Sequence, residues 1–324
     1  MGEATYLEQS ILHTIRYFDI LGVPRTATQL WSCLLIPNSA TQVRWEGHQR
    51  FSLAQVAAAL RESVYLQAQL ENYWGYYFLK GRGHLVSQRV YRHSIAQQKW
   101  KIVQRSLRWL RLIPCVDMVA ASGSLALYNT KPSSDLDMLI IARPERMWTA
   151  RLMVLFMAQL LGRRRKHWDQ AAPDKLCFNH FLSSRALAIA PAIRNEYTAV
   201  LYLHLVPLTG RSVYQKFMAA NHTWLRRFVM YEPLPALASI HWHALPRWQK
   251  KIRHATQALL LEPIGAGVEY LARTWQMRTI ARHTHPGQQG RVVVSADELA
   301  FHPHSRVEGI LHQFAQEAGQ KRLL

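Results

Sequence analysis

A glycine–serine pair and two closely spaced aspartates are the residues whose types and spacing could do chemistry together. Gly123 and Ser124 follow the apolar run PCVDMVAAS, and Asp135 and Asp137 stand at the start of a second apolar run, DLDMLIIA. Glycine lets a ligand approach the backbone closely, and the N–H groups at the start of a helix bind phosphate. The pair therefore predicts a phosphate site, to which the Ser124 hydroxyl adds a donor.

The two aspartates predict a metal site. Side chains two residues apart on a strand point to the same face, so Asp135 and Asp137 are expected to converge. Two carboxylates this close repel each other unless a cation lies between them. Mg²⁺ takes oxygen ligands and is commonly shared between carboxylates and substrate phosphates, so a nucleoside triphosphate would fit between the two sites. Two surface carboxylates at the start of a strand are the alternative interpretation.

The spacing of these residues resembles a known signature. Gly-Ser, ten residues and then Asp-x-Asp is similar to the motif of the nucleotidyltransferase superfamily related to DNA polymerase beta. The wider arrangement, with FLKGR at 78–82 and FHP at 301–303, resembles largely uncharacterised bacterial proteins with a winged-helix-like N-terminal region.

The resemblance implies transfer of a nucleotidyl group from an NTP to an acceptor hydroxyl, with release of pyrophosphate. Asp135 and Asp137 would bind two Mg²⁺ ions, one activating the acceptor and one neutralising the triphosphate. Gly123 and Ser124 would bind the β- and γ-phosphates.

One feature departs from the family pattern, because the third carboxylate on a neighbouring strand is not evident. The predicted strand LCFNHFL offers Asn179 and His180 at that place. Asn179 can bind a metal through its amide oxygen but cannot accept a proton. Lys175, just before this strand, is either a phosphate contact or a solvated lysine. Three carboxylates elsewhere in the chain are possible substitutes: Asp169, Asp174 and Glu196.

The predicted order of helices and strands indicates an α+β fold in four segments. Residues 1–86 predict a winged-helix-like domain, and residues 87–112 predict a basic amphipathic connecting helix. Residues 113–230 predict a small mixed sheet with helices, which the resemblance makes the nucleotidyltransferase domain. Residues 231–324 predict a mostly helical region with one short extended piece.

The first segment predicts three helices followed by a β-hairpin. Thr26 and Ser52 are predicted helix caps. The run VYLQAQL at 64–70 predicts the first hairpin strand, with the turn at 71–72. Since the third helix, SLAQVAAALRES, is poor in residues that read bases, packing or protein contact is favoured over DNA contact.

The formal net charge of +20 favours polyanionic partners such as RNA or an NTP. The run RRRK at 163–166 either complements the end of a helix or forms a basic lip for triphosphate or RNA. Core packing is favoured over stacking on nucleic-acid bases as the role of four aromatic residues: Trp74, Tyr76, Tyr77 and Trp109.

The three cysteines, Cys33, Cys115 and Cys177, form no C-x-x-C pair, which predicts a reducing, cytoplasmic location. No signal peptide and no transmembrane segment are predicted. Zinc binding is disfavoured for three H-x-H pairs: His241/His243, His283/His285 and His302/His304.

Two further hypotheses stand beside the transferase. In the first, the chain is a catalytically weak nucleotide- or DNA-binding regulator that uses its N-terminal domain. In the second, it is an antitoxin-like transferase that modifies a partner protein. The missing carboxylate favours the regulator, whereas the Gly-Ser pair and the aspartates favour the enzyme.

Overall fold

The computed structural model describes residues 5–37, 51–166, 172–230, 246–258, 260, 262–283, 291–302 and 307–317. Within these residues, helices pack on both faces of a mixed six-stranded sheet, which is compatible with the predicted α+β class.

The described N-terminal part of the chain contains helices of 4 to 15 residues and a three-stranded sheet. Its elements are α1 (Tyr6–Ile20), β1 (Arg25–Thr26), α2 (Ala27–Trp31), β2 (Leu34–Leu35), α3 (Leu53–Glu62), α4 (Val64–Gln67), β3 (Leu70–Tyr73) and β4 (Tyr76–Leu79). The predicted caps are confirmed, because Thr26 and Ser52 each form a capping box with the third residue of the helix. The sheet has the order β1-β4-β3, so β1 is a strand that the sequence pattern did not predict.

The predicted hairpin is displaced along the chain. The Ser63 hydroxyl accepts from the backbone N–H of Leu66 at 3.2 Å and caps α4, so 64–67 is helical and β3 starts only at Leu70. The predicted turn at 71–72 is also wrong, because the turn lies at Trp74 and Gly75. Both turn residues have positive φ, 53° and 75°, as a two-residue type I′ hairpin turn requires.

A long helix, α5 (His84–Leu110), follows the hairpin, and the predicted boundary at residue 86 lies in its first turn. Its basic residues are not all solvated, since Arg89 and Lys99 are only 3% and 2% exposed. The prediction of core packing is wrong for Trp74 and Trp109, because both side chains are exposed.

The remaining elements form the central sheet and the helices on it. They are β5 (Val116–Ala121), α6 (Gly123–Ala126), β6 (Leu136–Ala142), α7 (Met147–Leu160), β7 (Leu176–Ser183), a 3-10 turn (Pro191–Ile193), α8 (Glu196–Leu203), β8 (Val206–Pro207), α9 (Arg211–Leu225), β9 (Val229–Met230), α10 (Arg247–Ala258), α11 (Ile264–His283), β10 (Arg291–Val294), β11 (Glu298–His302) and α12 (Val307–Glu317). The strand order is β10-β11-β7-β6-β5-β8, in which only β6 and β7 pair in parallel. Both faces of β5 and β6 are apolar, as expected for strands covered on two sides.

The C-terminal region contributes more strand than predicted. The strands β10 and β11 form a hairpin, and β11 pairs antiparallel with β7, with Ala300 opposite His180. The central sheet therefore draws strands from both the third and the fourth predicted segments.

Helix α11 also supports the sheet, because its Glu269 caps α7. The Glu269 carboxylate accepts from the backbone N–H groups of Trp148 and Thr149 at 2.9 and 2.8 Å. This contact supplies acceptors at the positive end of α7, where the side chain of the N-cap residue, Arg146, makes no capping hydrogen bond.

In the described part of the chain, no helix combines the length and the apolar character needed to cross a bilayer. The three cysteines are buried thiols without disulfide bonds. The H-x-H pairs lie wholly or partly outside the described residues.

Candidate functional site

The Gly-Ser turn and the aspartates lie side by side because β5 and β6 are paired. Ala121, the last residue of β5, pairs with Met138, and the Ser122 N–H donates to the Asp137 carbonyl at 3.0 Å. The chain then turns at Gly123, whose φ of +62° suits glycine. A Cβ on Gly123 would lie 2.7 Å from Asp137 Oδ2, so the backbone of the turn directly faces this carboxylate.

The second donor of the predicted phosphate site is also available. Ser124 is half-buried, and its hydroxyl makes no hydrogen bond to any of the described residues. The Ser124 carbonyl accepts from the Asn129 N–H at 2.8 Å, which fixes the backbone of the turn.

Cys177 joins the two aspartates in one cluster. In the parallel pairing of β6 and β7, Asp137 lies opposite Cys177. The ligand atoms of Asp135, Asp137 and Cys177 all lie within 4.8 Å of one another. Within the ranges that the structure describes, this cluster contains no third carboxylate.

A cationic side chain already contacts this cluster. Arg165 forms an ion pair with Asp135, and its Nη1 lies 3.7 Å from Cys177 Sγ. The backbone N–H of Arg165 donates to the Leu176 carbonyl at 3.3 Å, and Arg164 forms a parallel bridge with Leu176. The basic run at 163–166 therefore brings one arginine into the site by lying alongside the start of β7.

The charges in the cluster are only partly balanced. Burial and the neighbouring charge of Asp135 raise the pKa of Asp137 to about 7, although Arg165 opposes this shift. Burial, followed by the charge of Asp137, raises the pKa of Tyr197 near the start of α8. Burial is also the main cause that raises the pKa of the Cys177 thiol. A further cation at this cluster would relieve the repulsion between the two carboxylates.

Of the two predicted residues on β7, Asn179 reaches the site and His180 does not. The Asn179 Nδ2 lies 3.5 Å from Asp137 Oδ1, and rotation of the amide by 180° would present its oxygen instead. His180 contacts Glu298 at 3.0 Å and Tyr202 at 3.3 Å, away from the carboxylate pair.

Two of the other candidates are engaged elsewhere. Lys175 donates to the carbonyl of Gly162 at 2.7 Å, so its ammonium lies at the end of α7 and not on the aspartates. Asp174 accepts from Lys99 at 2.7 Å. Glu196 begins α8 and is not a member of the Asp–Asp–Cys cluster. Asp169 lies outside the described residues.

Two buried cations of α5 hold the loop that leads to Asp135. Lys99 Nζ donates to the carbonyls of Pro132 and Ser134 at 3.1 and 2.8 Å, in addition to Asp174. Arg89 Nη1 donates to the two carbonyls of 127–128 at 2.8 and 2.7 Å. This part of α5 therefore positions the connection between the Gly-Ser turn and the aspartates.

Cys177 and Lys99 were not predicted as parts of this site, and Arg165 was predicted only as one residue of the basic run at 163–166. For Cys177 a signal was present, since residues two apart share a strand face and Cys177 precedes Asn179 by two. For Lys99 the sequence gives no signal, because a lysine on a basic helix is usually solvated.

Comparisons of the chain with protein-family models, with curated proteins and with solved structures find no match. Two carboxylates provide oxygen ligands suited to a divalent cation, and the Ser124 hydroxyl beside them makes no hydrogen bond within the described residues. The residues present thus fit a divalent cation with a bound phosphate group.

Proposed function

We propose that the chain is a divalent-cation-dependent nucleotidyltransferase that moves NMP from an NTP to an acceptor hydroxyl and releases pyrophosphate. The observation that carries this proposal is the contact between the Gly123 backbone and the Asp137 carboxylate. A phosphate bound at the turn would lie next to a cation bound by the aspartates, as transfer at a phosphoryl centre requires.

Each residue of the site then has a role. Asp135 and Asp137 would hold a divalent cation, which the family resemblance makes Mg²⁺, and the bound ion would supply charge neutralisation at the triphosphate. The Ser124 hydroxyl donates to a phosphate oxygen, and the small Gly123 lets the Asp137 carboxylate lie directly against the turn. Arg165, which pairs with Asp135, would donate to the triphosphate if a cation took its place on that carboxylate.

We propose a polyanionic acceptor, with RNA as the first candidate. The net charge of +20 attracts such a partner. Two exposed lysines flank the site in sequence, Lys131 in the loop before Asp135 and Lys166 after Arg165. The free, buried thiols suit a reducing compartment, so we place the reaction in the cytoplasm.

The experiment uses each α-labelled NTP with Mg²⁺ or Mn²⁺, and total cellular RNA and protein as acceptors. We expect transfer of label, reduced by about 100-fold or more in Asp135→Asn and Asp137→Asn, the effect of losing roughly 3 kcal/mol of transition-state stabilisation. Asp117→Asn is the matched control, because Asp117 lies at the other end of β5 and binds Ser184 at 2.8 Å. Equal transfer by all three variants would contradict the proposal.

A nucleotide-binding regulator is the second candidate. It is favoured by the composition of the cluster, in which a thiol and not a third carboxylate accompanies the described aspartates. The stacked, exposed Tyr73 and Trp74 at the tip of the N-terminal hairpin, with ring centroids 5.2 Å apart, would suit contact with DNA or a partner protein. Tight NTP binding that depends on Asp135 and Asp137, without transfer to any acceptor, would identify this function.

A further inference from the structure

We propose that Cys177 is the third metal ligand of this site, and that it makes the site select Co²⁺ or Zn²⁺ over Mg²⁺. This inference rests on the proposed function, because it names the cation that the same site takes. The family resemblance gives no indication of a thiol at this place, so the inference comes from the pairing of β6 with β7.

The register of the two strands places the thiol beside the carboxylates. Asp137 and Cys177 are partners across the parallel pair, and their side chains lie on the same face of the sheet. The Cys177 Sγ and one oxygen from each aspartate lie within 4.8 Å of one another, close enough for one ion to contact all three. Cys177 is only 7% exposed, so its sulfur faces the cluster and not the solvent.

A second observation shows that a positive charge already lies against two of these three donors. The Arg165 guanidinium contacts Asp135 and also approaches Cys177 Sγ at 3.7 Å. It thus lies against an oxygen and a sulfur donor of the same cluster. A metal ion bound there would displace Arg165 toward the solvent, since 37% of the Arg165 side chain is already exposed.

The two carboxylates and the thiol determine which metal ions the site prefers. Mg²⁺ requires oxygen ligands in a near-octahedral arrangement and keeps several waters, so a thiolate adds little to its binding. Thiolate ligands favour softer ions such as Zn²⁺, and Co²⁺ and Zn²⁺ lie above Mn²⁺ in the general order of affinity. Coordination releases the thiol proton to solvent, so that the bound donors are two carboxylates and one thiolate.

The test is a titration of the full chain with Co²⁺ alone, followed by ultraviolet and visible absorption. A sulfur–cobalt bond gives a charge-transfer band that oxygen ligands do not produce. We expect this band in the wild-type protein and in Cys115→Ser, the matched control. Cys115 precedes the other end of β5, and its carbonyl accepts from the Arg143 N–H at 2.9 Å. We expect loss of the band in Cys177→Ser, with Co²⁺ affinity at least about tenfold lower.

A second variant tests the selectivity directly. Cys177→Asp replaces the thiol with the carboxylate that related enzymes carry on a neighbouring strand, and we expect it to bind Mg²⁺ at least about tenfold more tightly than the wild-type protein does. Isothermal titration with Mg²⁺ measures this change without any assay of transfer.

The outcomes separate this inference from the proposed function. Absence of the charge-transfer band in the wild-type protein overturns the role of Cys177, even if no variant folds. In that case, Asp135-dependent label transfer with Mg²⁺ would leave the transferase proposal intact. A band that persists in Cys177→Ser and disappears in Cys115→Ser would also overturn the inference.

Discussion

Gly123 and Asp137 are in direct contact, and no larger residue fits at position 123 without moving the carboxylate. A Cβ built on Gly123 would lie 2.7 Å from Oδ2 and 3.5 Å from Cγ of Asp137. Real Cβ atoms do not approach an oxygen this closely, so a side chain at 123 must displace the proposed metal ligand.

The variant Gly123→Ala should therefore bind cations more weakly, and its lower free energy of unfolding should not account for the whole loss of affinity. We expect destabilisation of about 1–2 kcal/mol from the positive φ, together with at least about tenfold weaker Co²⁺ or Mg²⁺ binding. Gly81→Ala is the matched control, because Gly81 has a φ of +76° and no atom within 4 Å of its would-be Cβ. Urea unfolding and metal titration of both variants give the comparison; equal metal affinities would show that the contact has no role in binding.

Lys99 of helix α5 should affect metal binding through the loop before Asp135, which it contacts. Lys99→Met keeps the length of the side chain but removes the donor to the carbonyls of Pro132 and Ser134 and to Asp174. We expect a loss of about 1–3 kcal/mol in unfolding free energy, since buried acceptors lose their partner, and weaker metal binding because the loop before Asp135 is released. Lys101→Met, at an exposed position of the same helix, is the control. Its free energies of unfolding and of metal binding should both stay within about 0.5 kcal/mol of wild type. Equal stabilities of the two variants would contradict the structural role of Lys99.

Local features of this fold could be predicted from the sequence. The caps at Thr26 and Ser52 depend on side chains within three residues of their donors, so composition alone indicates them. The strands β5 and β6 and the short helix between them were also predicted, because apolar runs bounded by turn residues mark them. The convergence of Gly123 with Asp137 follows from the antiparallel pairing of these two neighbouring strands.

The remainder could not be predicted because it depends on pairings between distant residues. Cys177 reaches Asp137 only through the register of β6 with β7, and a shift of one residue would turn it to the other face. Glu269 caps α7 from a helix about 120 residues further along the chain. The burial of Lys99 depends on where the loop before Asp135 packs, which periodicity does not determine.

Arg165 should compete with the metal cation for Asp135 and should donate to the triphosphate of a bound NTP. Its removal should therefore change the affinities for the cation and for the NTP in opposite directions. In Arg165→Met we expect Co²⁺ affinity to rise by up to about tenfold, since a partly exposed ion pair contributes about 1 kcal/mol and no longer has to be broken. We expect NTP affinity to fall by a similar factor. Arg163→Met is the control, because Arg163 donates to the Asp174 carbonyl at 3.5 Å and not to the aspartate pair. Weaker binding of both ligands to Arg165→Met would contradict the competition.

His204 gives the fold a dependence on pH that is separate from the site. Its Nδ1 lies 2.8 Å from the carbonyl of Val200 and must donate to it, so its Nε2 accepts from Arg25 Nη2 at 2.7 Å. Burial and the charge of Arg25 lower the pKa of His204 to about 3. The neutral ring with its proton on Nδ1 is therefore the form that the folded protein holds.

The sign of the effect follows from the unfolded chain, in which histidine has a pKa of about 6.5. Between about pH 6.5 and 3 the unfolded state binds a proton that the folded state does not, so stability falls as the pH falls. From pH 7 to pH 5 this residue should remove about 2 kcal/mol from the free energy of unfolding. Urea unfolding at several pH values should show a shallower slope in His204→Gln, and ring ¹⁵N shifts should report the Nδ1–H tautomer at pH 6. A ring that titrates near pH 6.5 in the folded protein would contradict this arrangement.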